Sequence, residues 1–155
     1  MVRDVCAKMA DLAYRGVGVE PIIREGRDGD STLVADLCVR GLWERERAAF
    51  FDNRNINADG PSYFSLSWTA VAERAAREKH TKYDGAAEDA RGSFSPIIRS
   101  CEGVLHPEFQ VFLRLLTKAH REVGQSTVCG GRLDEGEATD GSNKICIPPR
   151  RTLRC

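Results

Sequence analysis

Two aspartates and two lysines are the residues of this chain best suited to work on a phosphate. Asp36, in Val34-Ala35-Asp36-Leu37, and Asp52, in Phe50-Phe51-Asp52-Asn53, each follow apolar residues and lie sixteen positions apart. Aspartate is depleted in strands, and a buried carboxylate without a partner is costly, so each needs a cation or hydrogen-bond donors. A hairpin of this span brings both carboxylates together as a hard oxygen site suited to Mg²⁺. Such an ion activates water and stabilises charge developing on a scissile phosphate. Ion pairing is the structural alternative: Asp52 with Arg54, which shares its strand face two residues on, or Asp36 with Arg40. Lys79 falls in the centre of an apolar stripe formed by Trp68, Val71, Ala72, Ala75, Ala76, Tyr83, Ala86 and Ala90, and Lys82 falls at its edge. A lysine so placed either extends its ammonium to solvent or meets an acid inside. Glu73, Arg77, His80, Asp84 and Glu88 occupy the opposite face, so His80 reads as a solvated surface residue.

The elements that position these groups follow from hydrophobic period. Val2, Val5, Cys6, Met9, Leu12 and Ala13 recur at helical spacing, predicting a helix over 2–14. Val17–Ile23 reads as a short strand, with Pro21 favouring a sheet edge. Thr32–Arg40 is apolar on both faces, as a central strand requires. Ala48–Ile56 is the next strand, joined through a hairpin connection at Leu42–Arg47. Turn residues lead to a helix over 67–91 with Ser67 as its N-cap. Ser93–Cys101 is a fourth strand, and Pro107 opens a last helix whose inner stripe is Phe109, Phe112, Leu113, Leu116 and Val123 and whose stop is Gly124. Residues 125–155 hold four glycines, adjacent prolines and no sustained period, and read as a disordered tail. The fold expected is α/β: a mixed central sheet of about four strands flanked by helices.

Composition narrows the function. At 155 residues, with 41% hydrophobic and 30% charged residues, the chain is one ordinary globular domain. Lys plus Arg equals Asp plus Glu at 23 each, which argues against tight autonomous DNA binding but not against a domain delivered to DNA by a larger polypeptide. The six cysteines form no CxxC pair and stand near no His pair at zinc spacing; Cys6, Cys38 and Cys101 read as small buried apolar residues. Arg3, Asp4, Lys8 and Asp11 interrupt the first turns, so no signal peptide is read there, and no apolar run reaches membrane-spanning length. The reducing interior of a cell is the expected location.

One combination of motifs resembles a known family. Ala35-Asp36-Leu37-x-Val39-Arg40-Gly41-x-Trp43, Phe51-Asp52-x-Arg54, Ser62-Tyr63 and Glu78-Lys79-x-x-Lys82-Tyr83, with Phe94-x-Pro96, Gly103 and Phe112-Leu113 further on, is similar to the restriction-like endonuclease domain at the C-terminus of non-LTR retrotransposon reverse transcriptase proteins. That domain belongs to the PD-(D/E)xK nuclease superfamily. The likeness covers roughly 2–124, so the organisation implied is a nuclease domain over 1–124 and a tail over 125–155. It implies Asp36 and Asp52 as metal ligands for Mg²⁺, and Lys79 or Lys82 as the catalytic lysine, moved from strand to helix. It implies DNA as partner and the nucleus as site of action, with no small-molecule cofactor and no membrane. Arg54 stands where a D-x-K motif carries lysine; an arginine cannot be a base and would only stabilise charge. Ala35 replaces the motif proline. Asn53, Asn55 and Asn57 replace apolar strand residues, at a cost on the order of 1–3 kcal/mol for each that is buried and poorly paired. No polymerase motif is present.

Three functions remain open at this point: a metal-dependent endonuclease that nicks a target strand to prime reverse transcription; a catalytically inactive remnant; and a non-catalytic nucleic-acid-binding module, for which Arg91, Arg99, Arg114, Lys118 and Arg121 would supply the basic patch if they share a face.

Overall fold

The computed structural model describes residues 2–128 apart from 28, 59, 61, 62 and 64. The chain runs α1 (Val2–Asp11), β1 (Gly16–Val19), β2 (Ile22–Arg24), β3 (Leu33–Val34), β4 (Leu37–Arg40), β5 (Ala48–Ile56), α2 (Trp68–Asp89), β6 (Gly92–Ser100) and α3 (Pro107–Val128). Four strands form a mixed sheet in the order β1-β4-β5-β6, antiparallel except for β5 and β6, and β2 pairs with β3 in a separate two-stranded sheet.

Strand alternation sorts the core into two layers. Leu37, Val39, Ala49, Phe51 and Ile97 point to one face, where Cys6, Ala7 and Ala10 of α1 and Phe109, Phe112 and Leu116 of α3 cover them. Ala48, Phe50, Ile56, Phe94 and Ile98 point to the other, where α2 lays its alanine-rich stripe on them. Small side chains on α2 permit this close approach. Gly92, which opens β6, is needed against β5: a Cβ there would lie 2.6 Å from the Phe50 ring and 2.7 Å from the Ala48 carbonyl oxygen. Ser67 caps α2 as expected, its hydroxyl accepting the Ala70 N–H at 3.3 Å. Among the described residues, no helix is long and apolar enough to cross a membrane.

Several expectations need correction. The helix over 2–14 ends at Asp11, leaving Leu12 exposed. The strand over 17–23 divides into β1 and β2, because Glu20 adopts a left-handed φ of 54° before Pro21 and turns the chain between sheets. The strand over 32–40 divides likewise at Ala35-Asp36, although its second half is central as expected. Helix α3 continues through Gly124 to Val128, and Val123, assigned to its inner stripe, is exposed. The tail reading, as it applies to 129–155, and the motif position Ser62 lie outside the described residues. Cys6 is buried, and burial pushes its thiol up to about 11; Cys38 is half-buried, but Cys101, expected inside, is exposed.

The asparagines of β5 separate into different cases. Asn55 is exposed and offers its amide to the Cys101 sulfur at 3.6 Å, and Asn57 lies exposed beyond the strand. Asn53 is half-buried, and its Oδ1 is buried with no hydrogen-bond partner among the described residues. An unsatisfied buried acceptor costs about 1–3 kcal/mol. Asn53→Leu is therefore expected to raise stability by about 1–3 kcal/mol in chemical denaturation, and an unchanged or lower midpoint would contradict this.

Candidate active site

The division of the strand over 32–40 places Asp36. The chain leaves β3, and Ala35 donates its N–H to the Pro21 carbonyl at 3.0 Å. Asp36 then joins the larger sheet, donating its N–H to Phe51 at 2.9 Å and accepting the Glu20 N–H at 3.1 Å. Its carboxylate turns back along β5, where Oδ2 accepts the Asn53 N–H at 2.7 Å. It is not paired with Arg40. The β4–β5 register ends at Leu37↔Phe51, and Asp36, just before it, leaves the regular ladder by donating to that same Phe51. The Asn53 N–H that its carboxylate holds belongs to the peptide joining Asp52 to Asn53, so Asp36 reaches the backbone beside Asp52.

Asp52 points into the interface with α2, although it is charged and only 8% exposed. Lys79 donates from Nζ to its Oδ2, and the Tyr83 hydroxyl lies 2.7 Å from its Oδ1. Lys79 and Tyr83 are four residues apart, so they stand one above the other on α2 and grip both oxygens from adjacent turns. The lysine in the apolar stripe therefore meets an acid inside rather than extending to solvent. Tyr83 stacks on Phe94 with ring centroids 4.6 Å apart, and its hydroxyl also lies 3.2 Å from the Val34 carbonyl oxygen. Burial, the hydrogen bond to Asp52, and the negative charges of Asp52 and Asp36 push the Tyr83 hydroxyl far above the usual phenol range, so it stays protonated as a donor. Lys82 sits at the rim, 3.3 Å from the Tyr83 hydroxyl and 4.8 Å above its ring. The structure thus brings Asp52 and Lys79 into direct contact, sets the Asp36 carboxylate on the neighbouring Asn53 N–H, and leaves Lys82 outside that contact.

Arg54 shares the face of Asp52, but its partner is Glu78 of α2, at 2.7 Å. Arg74 holds the other oxygen of Glu78 at 3.2 Å. The two guanidinium groups keep the Glu78 carboxyl below its ordinary range.

His80 departs from expectation. It is only partly solvated, with its side chain 32% exposed: its Nδ1 lies 2.9 Å from Asp84, its Nε2 lies 3.0 Å from Glu108, and its ring meets Phe94 edge-on. A helical wheel treats that side of α2 as free, whereas the start of α3 supplies Glu108 to it. Burial lowers the His80 pKa, but the hydrogen bonds to Glu108 and Asp84 outweigh it and leave the value raised above 6.5. The stability this contributes is complete below the unfolded value of about 6.5 and is lost as pH rises through the folded value. His80→Gln is expected to flatten the decline of stability above about pH 6.5; a decline equally steep in the variant would refute the linkage. Near it, His106 is buried, its Nε2 3.8 Å from Glu73 and without a hydrogen bond among the described residues. Of the five cations considered as a basic patch, Arg114, Lys118 and Arg121 share one exposed side of α3, while Arg91 follows α2 and Arg99 lies on β6.

Sequence reasoning placed Tyr83 in a stripe, quoted Glu78 and Tyr83 in a motif without giving either a role, and passed over Arg74. The i, i+4 relation of Tyr83 to Lys79 was the available signal for the first. No protein-family model matches the chain, and no curated protein matches it.

Two carboxylates are the donors at hand for a hard divalent ion: one oxygen of Asp36 accepts a hydrogen bond among the described residues, and both oxygens of Asp52 are engaged by Lys79 and Tyr83. No group of three or more His, Cys, Asp or Glu side chains there is disposed to hold an ion. Mg²⁺ characteristically takes one or two carboxylates and keeps several waters.

Proposed function

We propose that this chain is the Mg²⁺-dependent endonuclease domain of a non-LTR retrotransposon protein, hydrolysing one phosphodiester of a DNA strand. The observation that carries the reading is the meeting of Asp52 and Lys79 across the β5–α2 interface, with the Asp36 carboxylate on the N–H of the next residue, Asn53. Asp36 and Asp52 would hold the ion, which when bound would supply an activated water and offset charge on the phosphate. Lys79 is the catalytic lysine: its ammonium donates to the non-bridging oxygens as negative charge builds, and Tyr83 fixes Asp52 from the far side. Water adds to phosphorus, the bond to the 3′ oxygen breaks, and a 3′-hydroxyl remains for priming. Supercoiled plasmid incubated with the chain and Mg²⁺ is expected to become open circle, and chelation of the ion to stop it. Absence of nicking at every enzyme concentration would overturn the reading. Action on DNA in the nucleus belongs to the same proposal.

One observation favours a second reading, a catalytically inactive remnant. Both oxygens of Asp52 already have partners in Lys79 and Tyr83, an arrangement that also serves as a structural ion pair, and β5 carries the unsatisfied Asn53. The plasmid assay separates the two.

A further inference from the structure

A small cavity of about 160 Å³ opens beside the candidate site, lined by Arg54, Tyr63, Arg74 and Glu78 among others. Its position follows from the chain. Arg54 is two residues along β5 from Asp52, about 7 Å by strand rise, and Glu78 is the residue before Lys79. That offset is of the same order as the spacing of neighbouring phosphates along a nucleic-acid strand. We propose that Arg54 and Arg74 form a subsite for a backbone phosphate adjacent to the scissile one, with Glu78 holding both guanidiniums in place until a polynucleotide takes them over. The inference rests on the nuclease reading and adds a part to its binding surface.

Charge and geometry support it. Glu78 presents one oxygen to each arginine, so a single carboxylate stands between two cations and the cluster keeps one net positive charge. Each guanidinium has five N–H donors in a planar fork suited to phosphate. One donor from each goes to Glu78 among the described residues, which leaves the others for a ligand. All three side chains are partly open to solvent, so a phosphate reaches them without unfolding. Tyr63, half-buried on the cavity wall, adds a ring against which sugar or base can rest.

The test is the binding of a fluorescent single-stranded oligonucleotide to the full chain, read by anisotropy in EDTA so that no cutting occurs. Arg54→Gln and Arg74→Gln are each expected to weaken binding about 5–10-fold and to reduce the salt slope by about one. Glu78→Gln is the discriminating variant: removing the internal anion is expected to tighten binding at least about threefold and steepen the slope. A structural ion pair alone predicts no gain. Unchanged or weaker binding by Glu78→Gln overturns the subsite while leaving the nuclease reading intact. Charge-dependent binding without Mg²⁺ nicking overturns the nuclease reading and, with it, the place of the subsite beside a scissile phosphate, leaving the arginine pair as a backbone-phosphate contact alone. A mononucleotide that displaces the oligonucleotide equally well at equal phosphate concentration overturns the assignment to a polynucleotide.

Discussion

Asp52→Asn is expected to reduce Mg²⁺-dependent nicking by about 1000-fold. The change keeps the shape of the side chain and removes its charge. A bound metal supplies several kcal/mol of charge stabilisation, and each 1.36 kcal/mol is a factor of ten in rate. Stability separates this effect from misfolding. In Asp52→Asn the Lys79 ammonium loses its counter-charge but has a long stem and a side chain 20% exposed, so it relaxes to water. In Lys79→Met the carboxylate is stranded in a site where its own side chain is 12% exposed, with only Tyr83 to hold it. The lysine variant is therefore expected to lose about 2–3 kcal/mol, below the range for a fully buried pair because this one is partly open. Nicking that survives Asp52→Asn within tenfold would exclude Asp52 from the chemistry.

Phe51→Ala is expected to cost about 3–5 kcal/mol and to lower the melting temperature by about 10–20 °C. Phe51 is fully buried on the face of β5 opposite Asp52, and its ring lies 4.5 Å from that of Phe112 at 42°. It joins β5 to α3, so truncation opens a cavity between layers that share one core. Domains of this size have only about 5–15 kcal/mol in total. Phe112→Ala should cost about as much, and the double variant less than the sum because both empty the same space. A Phe51→Ala loss under about 1 kcal/mol in calorimetry would show that the two layers collapse without strain.

Much of the frame was legible in the sequence because the strongest periodic signals coincide with buried faces. Strand β5 spans the residues its apolar run indicates, and Ser67 starts α2 where its side chain can cap it. The mixed four-stranded sheet followed from the same patterns. What escaped notice depended on tertiary context. An apolar run from Thr32 to Arg40 gives no sign that the chain changes sheets at Asp36, although an aspartate in the middle of such a run was a hint. A glycine at 124 is a weak stop, since one glycine costs a helix only about 1 kcal/mol. His80 was misread because a wheel drawn for α2 alone cannot contain Glu108. The candidate site was legible as a set, but not as a geometry. Spacing set Lys79 at the centre of the stripe and Lys82 at its edge and offered Arg54 as a partner for Asp52; the packing of α2 on β5 puts Lys79 on Asp52 and gives Arg54 to Glu78.

The most direct test of the central claim is divalent cation binding by isothermal titration with Mn²⁺ standing in for Mg²⁺, using the wild-type chain, Asp36→Asn and Asp52→Asn. The account predicts a saturable site in the wild type that either substitution removes. Identical titrations for all three proteins, or no uptake by the wild type, would contradict a cation shared by the two carboxylates.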